Sequence, residues 1–185
     1  FQVIEVLRKI TDIGLSRAEY PIDLTQNNDV FVEVSGLLKA LGVNLMKIST
    51  DLRWMNSGPN GGLGEITLQE IQAGSTIMPG KVNPVIPEMV TQVAIRVMAN
   101  DQAIAMCAAN GNFELNAFLP LIADSFSNSL EILILAVAIF RIKCVETLKV
   151  NENDCRKNLE NSMVLETALT PIIGYEKVAV IIKKS

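Results

Sequence analysis

One segment dominates the pattern of apolar and polar positions along the chain. Val30, Val34, Leu37, Leu41, Leu45, Ile48, Leu52 and Met55 recur with a mean step of about 3.6 residues, the α-helical period. At about 1.5 Å per residue the segment would span about 40 Å. A helix that long, with so narrow an apolar stripe, belongs in a bundle and is expected to make contacts beyond one subunit. Residues 1–19 read as a short helix with a polar face, ended or interrupted at Pro21. Asn28 or Asp29 supplies an N-cap for the long helix. The period resumes after Pro84 at Ile86, Met89, Val90, Val93 and Val97, with Pro84 or Pro87 in a tolerated first-turn position. From Pro120 to about Val150 the chain reads as nearly continuous apolar helix, buried on several sides.

Glycine and proline punctuate these helices. SGPNGGLGE at 57–65, AGSTIMPGKVNP at 73–84 and NGNFELN at 110–116 read as breaks, and ITLQEIQ as a short connector. The polar cluster VNENDCRKN opens a compositionally different tail of short helices. A domain boundary is therefore expected near residue 150, separating 1–150 from 151–185. The fold class is all-α, a long-helix bundle followed by a small helical domain.

Composition narrows the class of function. The 185 residues are 49% hydrophobic, which excludes a disordered segment, and 5% aromatic, which favours packed helices over a β-sandwich. The net charge of −4 sets aside a nucleic-acid binder. Histidine is absent, so no histidine base, metal ligand or Ser-His-Asp triad exists within the chain. The longest apolar run, Ile132 to Phe140, is nine residues, against about 20 for a membrane span. Cys107, Cys144 and Cys155 are odd in number, form no CxxC pair and read as buried small hydrophobes. Reduced thiols and no recognisable signal peptide give a cytoplasmic expectation. No cluster with metal-ligand spacing occurs. The chain starts without methionine inside an apolar-periodic segment and stops part-way through an amphipathic one, so a longer parent is expected.

The chemistry concentrates in Gly74-Ser75-Thr76-Ile77-Met78-Pro79-Gly80-Lys81-Val82-Asn83-Pro84. Two adjacent hydroxyls follow a glycine, a lysine lies six residues after the first, and an amide two further on, just before a helix. Helix N-termini carry unpaired N–H groups and partial positive charge, so they favour anions. Lys81 adds a full charge and Asn83 a directional donor. The set suits a carboxylate or phosphate. A phosphate-cradling P-loop is excluded, because Ser75 stands where that motif needs glycine and Val82 where it needs Ser or Thr. The plainer alternative is a turn built by Gly74, Gly80 and the prolines, with Lys81 a solvated charge.

The flanking sequence decides between them. AGSTIMPGKVNPVIPE resembles the signature loop of the aspartase/fumarase superfamily, usually GSSxMPxKxNxxxxE, with Thr76 in place of the second serine. DLRWMNSGPNGGLGEITL before it, and NGNFELNAFLP and NSMVLETALTPIIGYEKVA after it, resemble the same family in order. The resemblance implies that residues 1–150 are the later part of a central helical-bundle domain and 151–185 the start of a small C-terminal domain. It further implies a parent more than twice this length, a homotetramer whose active sites draw on several subunits. Within the superfamily, IDLTQNNDVFVEVSGLLKALGVNLMKISTDLR resembles bacterial aspartases, whereas GNFELNAF and ALTPIIGYEK look at least as much like fumarases. Asn60 departs from the family's SGPR.

By this resemblance Ser75 is the base that removes the proton next to the β-carboxylate of a dicarboxylate, converting L-aspartate to fumarate and ammonia, or, in the fumarase alternative, malate to fumarate and water. A serine needs a local positive field for that work. Thr76 would hydrogen-bond one carboxylate, and Lys81 and Asn83 would bind the other. Glu88, the final acid of the signature, would position a partner group; its simpler role is a first-turn glutamate favoured by the helix dipole. Glu114 and Asn116 either shape a wall of the site or cap the next helix. No cofactor is required by this chemistry, although some relatives are activated by Mg²⁺. The alternative of another class is a non-catalytic oligomerisation scaffold.

Overall fold

The structure is a computed structural model describing residues 2–72, 74, 75 and 77–183. Its helices, in chain order, are α1 (Gln2–Thr11), α2 (Pro21–Gln26), α3 (Asp29–Met55), α4 (Val85–Ala108) and α5 (Leu119–Phe140). Four short helices follow: α6 (Glu152–Glu160), α7 (Val164–Thr167), α8 (Thr170–Ile173) and α9 (Tyr175–Ile182). Strands β1 (Ile66–Thr67) and β2 (Lys149–Val150) pair antiparallel, Ile66 opposite Val150 and Thr67 opposite Lys149. The fold is all-α, as the periodicity predicts, with this one two-stranded ribbon among the described residues.

The long helix α3 runs over the residues its 3.6-residue period predicts. Over most of its length, however, its apolar stripe is not the face it buries in this chain; of the stripe only Leu45 is buried, with Leu52 and Met55 half-buried. Asn28, Ser35, Gly42, Leu45 and Ser49 are buried, while Val30, Val34, Leu37, Leu41 and Ile48 face solvent. Period alone cannot tell which of two faces a neighbour covers. Three further expectations need correction. The first helix stops at Thr11 rather than near residue 19, and α2 begins at Pro21, in the first-turn position where its missing N–H costs nothing. The helix from residue 119 ends at Phe140 and passes through a single π turn, Arg141–Val145, into β2; it does not continue to Val150. Nor does α5 bury several sides within the chain. Ile122, Ser125, Ser129, Leu133, Ala136 and Phe140 form one buried line, while Leu130, Ile134, Leu135 and Val137 are exposed.

The chain divides into two compact units, residues 1–44 with 92–135, and 45–91 with 136–185. In the first, Ile104, Cys107 and Ile122 form an apolar core against which Val32 and Phe126 pack. Phe31 meets Phe126 edge to face at 5.8 Å. Several buried polar side chains of this unit are paired, although the buried Asn28 Nδ2 has no partner among the described residues. The Asn100 amide donates to Ser129 Oγ at 3.0 Å and Asn128 Oδ1 at 3.1 Å. Asp101 accepts from the buried Ser35 hydroxyl at 2.9 Å and from the half-exposed Lys39 ammonium at 2.6 Å. Without the carboxylate, Ser35 would be buried with no acceptor, whereas Lys39 could turn to water. Asp101→Ala is therefore expected to cost about 1–3 kcal/mol, read as a lower urea midpoint. Asp101→Asn keeps an acceptor and is expected to cost less; equal costs would show that the hydroxyl bond contributes nothing.

Within this chain Asn116 of NGNFELN serves as a cap. It is 1% exposed, and its amide nitrogen donates to the Cys107 and Ala108 carbonyls that end α4. Its side-chain oxygen accepts the Phe118 N–H at the approach to α5. One side chain thus satisfies backbone groups at two helix ends. Glu114 is exposed.

In the second unit, Ile66, Leu68, Pro87, Val90, Ala136, Phe140 and Cys144 are buried. Burial pushes the Cys144 thiol above its usual range, so it stays protonated and unreactive near neutral pH. Cys155 differs from the expectation of a fully buried hydrophobe: it is half-buried and its thiol donates to the Glu65 carbonyl at 3.4 Å.

Candidate functional site

The loop between β1 and α4 is closed by its own ends. The Asn83 amide donates to the Gly74 carbonyl at 2.9 Å. The two strands of the loop also touch at Gly74. A Cβ built there would lie 1.8 Å from the Lys81 carbonyl oxygen, so only glycine fits. At the tip, the Lys81 N–H reaches back to the Met78 carbonyl at 3.3 Å, and Gly80 takes a φ of +78°, a conformation other residues avoid. Glycine and proline punctuation thus predicts the loop correctly, and geometry says why Gly74 and Gly80 stand where they do.

Ser75 is half-buried inside this loop. Its Oγ accepts the backbone N–H of Ile77 at 3.1 Å and of Met78 at 3.2 Å. These bonds cap the turn that follows. They also place two fixed dipoles on the oxygen, which favours its ionised form. Thr76 lies outside the described residues. Asn83 is half-buried, and one of its amide N–H groups is committed to closing the loop. Lys81 is exposed, with no ion-pair partner among the described residues. Exposed Ile77 and Met78 form the outer surface of the loop.

Glu88 sits in the first turn of α4, and its carboxylate lies 3.8 Å from the Arg53 guanidinium near the end of α3. Both groups are about 40% exposed, so the pair adds little stability on its own. It does give Glu88 a positional role within the chain besides its favourable place at a helix N-terminus.

A cleft of about 360 Å³ adjoins the loop, and its walls include Asn56, Pro59, Thr67, Lys81, Asn151 and Asp154. Ser75 and Asn83 are not among its lining residues. The structure therefore groups Ser75, Asn83 and Gly74 within the loop, and turns Lys81 to the neighbouring cleft. Asn151 and Asn158 are structural residues that the sequence reading does not single out. The Asn151 amide donates to the Gly64 carbonyl at 2.7 Å and its backbone N–H to the Glu65 carbonyl at 2.9 Å. Asn158 donates to the Leu63 carbonyl at 2.9 Å and to Glu65 Oε1 at 3.1 Å. Asn151, just before α6, and Asn158, near its end, thereby clamp the segment leading into β1. Partners 84 to 95 residues apart leave no local signal in a sequence.

No group of three His, Cys, Asp or Glu side chains suited to a metal occurs among the described residues. No helix among them is long and apolar enough to cross a membrane.

Comparison with known proteins agrees with this fold. A family model described as lyase matches residues 1–99. A protein named fumarate hydratase class II 2 from Pseudomonas aeruginosa is 46% identical over 179 residues, covering 97% of this chain and 39% of its own length. An aspartate ammonia-lyase from Helicobacter pylori is 45% identical over 179 residues, covering 97% of this chain and 38% of its own. The crystal structure of a fumarate lyase:delta crystallin from Brucella melitensis in native form matches with a TM-score of 0.90 and 43% identity, over 99% of this chain and 43% of that one. The chain thus spans 38–39% of the length of these curated relatives. The family match over more than half of its residues, together with the helical fold, shows that the chain belongs to the lyase family of the aspartase/fumarase superfamily.

Proposed function

We propose that the intact protein carrying this chain is a fumarate-forming lyase, with L-aspartate as substrate and ammonia as leaving group. Ser75 is the base. It takes the proton next to the β-carboxylate, charge moves onto that carboxylate, and the amine leaves from the neighbouring carbon. The observation that carries the reading is Ser75 Oγ held by two backbone N–H groups inside an intact signature loop. Those dipoles are already oriented before the proton moves, so an ionised Ser75 needs no reorganisation. Lys81, Asn83 and Thr76 hold the substrate carboxylates in this reading, and Glu88 positions a group from another segment. The reaction calls for no cofactor.

Residues 1–150 are, in this proposal, the later part of the central helical domain, and 151–185 the start of the C-terminal one. The parent assembles as a homotetramer with shared active sites. The solvent-facing apolar stripes of α3 and α5 support this, since a stable monomer rarely leaves such surface uncovered. The chain has no histidine, so in this reading any histidine that takes part lies on another segment.

A second reading replaces ammonia by water, making malate the substrate; relatives named fumarate hydratase class II at 46–47% identity favour it. Following fumarate by ultraviolet absorbance separates the readings. The intact protein is expected to form fumarate from aspartate. Turnover of malate alone moves the assignment to a hydratase, and turnover of neither leaves the scaffold reading.

A further inference from the structure

The sequence holds two Asn-Gly dipeptides, Asn60-Gly61 and Asn110-Gly111, and the structure places them in different surroundings. Asn60 and Gly61 are exposed at the tip of the Gly-rich loop. Ser57 pins that loop at its base: its Oγ accepts the Leu63 N–H at 3.1 Å, and its carbonyl accepts the Gly64 N–H at 2.7 Å. Between these anchors, neither the Asn60 side chain nor the Gly61 N–H has a hydrogen-bond partner among the described residues. A Cβ added at Gly61 would meet nothing within 4 Å. Asn110 is held instead. Its amide donates to the Met106 carbonyl at 2.6 Å and its backbone N–H to the Cys107 carbonyl at 3.2 Å. A Cβ at Gly111 would lie 3.2 Å from the Gln26 carbonyl and 3.4 Å from the Asn116 amide.

We propose that Asn60 is a site of spontaneous covalent modification, converted to aspartate and isoaspartate through a cyclic imide. The Gly61 backbone nitrogen gives its proton to hydroxide and attacks Cγ of Asn60. A new N–Cγ bond closes a five-membered ring, the Cγ–Nδ2 bond breaks, and the nitrogen leaves as ammonia. Water then opens the ring at either carbonyl. The net change is consumption of one water and release of one ammonia, with no oxidant or reductant. Glycine favours the attack because no side chain shields its nitrogen, and the unbonded tip lets the backbone rotate into position. The product adds a negative charge next to Gly58 and Pro59, which line the same cleft as Lys81. In the isoaspartate form it also inserts a methylene into the loop backbone. This inference does not depend on the proposed lyase reaction.

The intact protein, held in mildly alkaline buffer at about 37 °C and sampled over days, is digested with trypsin and a glutamyl endopeptidase. The fragments 54–65 and 97–114 carry the two sites. Fragment 54–65 is expected to gain about 1 Da, assigned by fragmentation to Asn60 rather than Asn56. The gain should be about tenfold faster, or more, than the gain at Asn110. In urea-unfolded protein the two sites are expected to convert at comparable rates. Gly61→Ala fits the open space, so the fold survives, and it should slow conversion at Asn60 by about tenfold or more. No gain at Asn60, equal rates in the folded protein, unequal rates in the unfolded one, or indifference to Gly61→Ala would each overturn the proposal.

Discussion

Replacing Ser75 with Ala in the intact protein is expected to lower kcat by about 10²–10⁴-fold while changing KM only a fewfold. A loss of that size corresponds to about 3–5 kcal/mol of transition-state stabilisation. The reasoning runs from the two backbone N–H groups on Ser75 Oγ. Their partial positive charges matter little to a neutral hydroxyl and much to an ionised one, so their value is realised during proton transfer. The contacts proposed for substrate carboxylates lie on Lys81, Asn83 and Thr76 and survive the substitution. The competing account is that Ser75 only caps the turn at 77–80. Loss of a cap costs about 1 kcal/mol of local stability, and it would loosen the loop, raising KM with kcat little changed. Steady-state kinetics therefore separates a base from a cap. A variant with kcat near that of the parent would sink the proposed mechanism.

Gly74→Ala should be nearly as damaging, although it touches no substrate in the proposed scheme. The added Cβ would lie 1.8 Å from the Lys81 carbonyl oxygen and 2.4 Å from its carbon, both backbone atoms that cannot rotate away. The two sides of the loop must separate, and the Asn83–Gly74 hydrogen bond goes with them. Ser75 and Lys81 then shift relative to each other by about 1 Å or more, a misplacement worth about 10²-fold in rate. The helices around the loop do not depend on this contact, so the melting temperature should fall far less than activity does. Gly61→Ala, which meets open space, is the matched control and should leave kcat/KM near that of the parent. If Gly74→Ala keeps activity within a fewfold, the observed closure of the loop is not required for its function.

What could be read from the sequence, and what could not, follows from the range of the forces involved. The course of α3 was legible because a 3.6-residue repeat over 27 residues averages out local noise. The loop at 73–84 was legible because glycine and proline restrict the backbone wherever they occur. The signature residues were legible as a set, and the structure adds how they are held: Asn83 on Gly74, and Ser75 under two N–H groups. The ribbon of β1 and β2 was not legible, since two residues per strand cannot show a period of two. The end of α5 was misplaced because apolar residues keep recurring at helical spacing, at Ile142, Val145 and Leu148, from helix through π turn towards the strand. The outward direction of the α3 stripe was invisible for another reason. Hydrophobic periodicity reports that a face will be covered, not that the cover belongs to the same chain.

The clamp formed by Asn151 and Asn158 has a consequence for the order of events during folding. Thr67 and Asn151 are 84 residues apart, and the loop that carries Ser75 and Lys81 lies inside that span. Closing so long a span carries an entropic cost that local helix formation does not. On a ribosome adding about 5–20 residues per second, α3 and α4 emerge and coil well before α6 exists to grip the segment at 63–67. The signature loop therefore spends its first seconds tethered at one end only. A chain interrupted before residue 149 would keep its long helices and lose the ribbon that anchors the way into the loop.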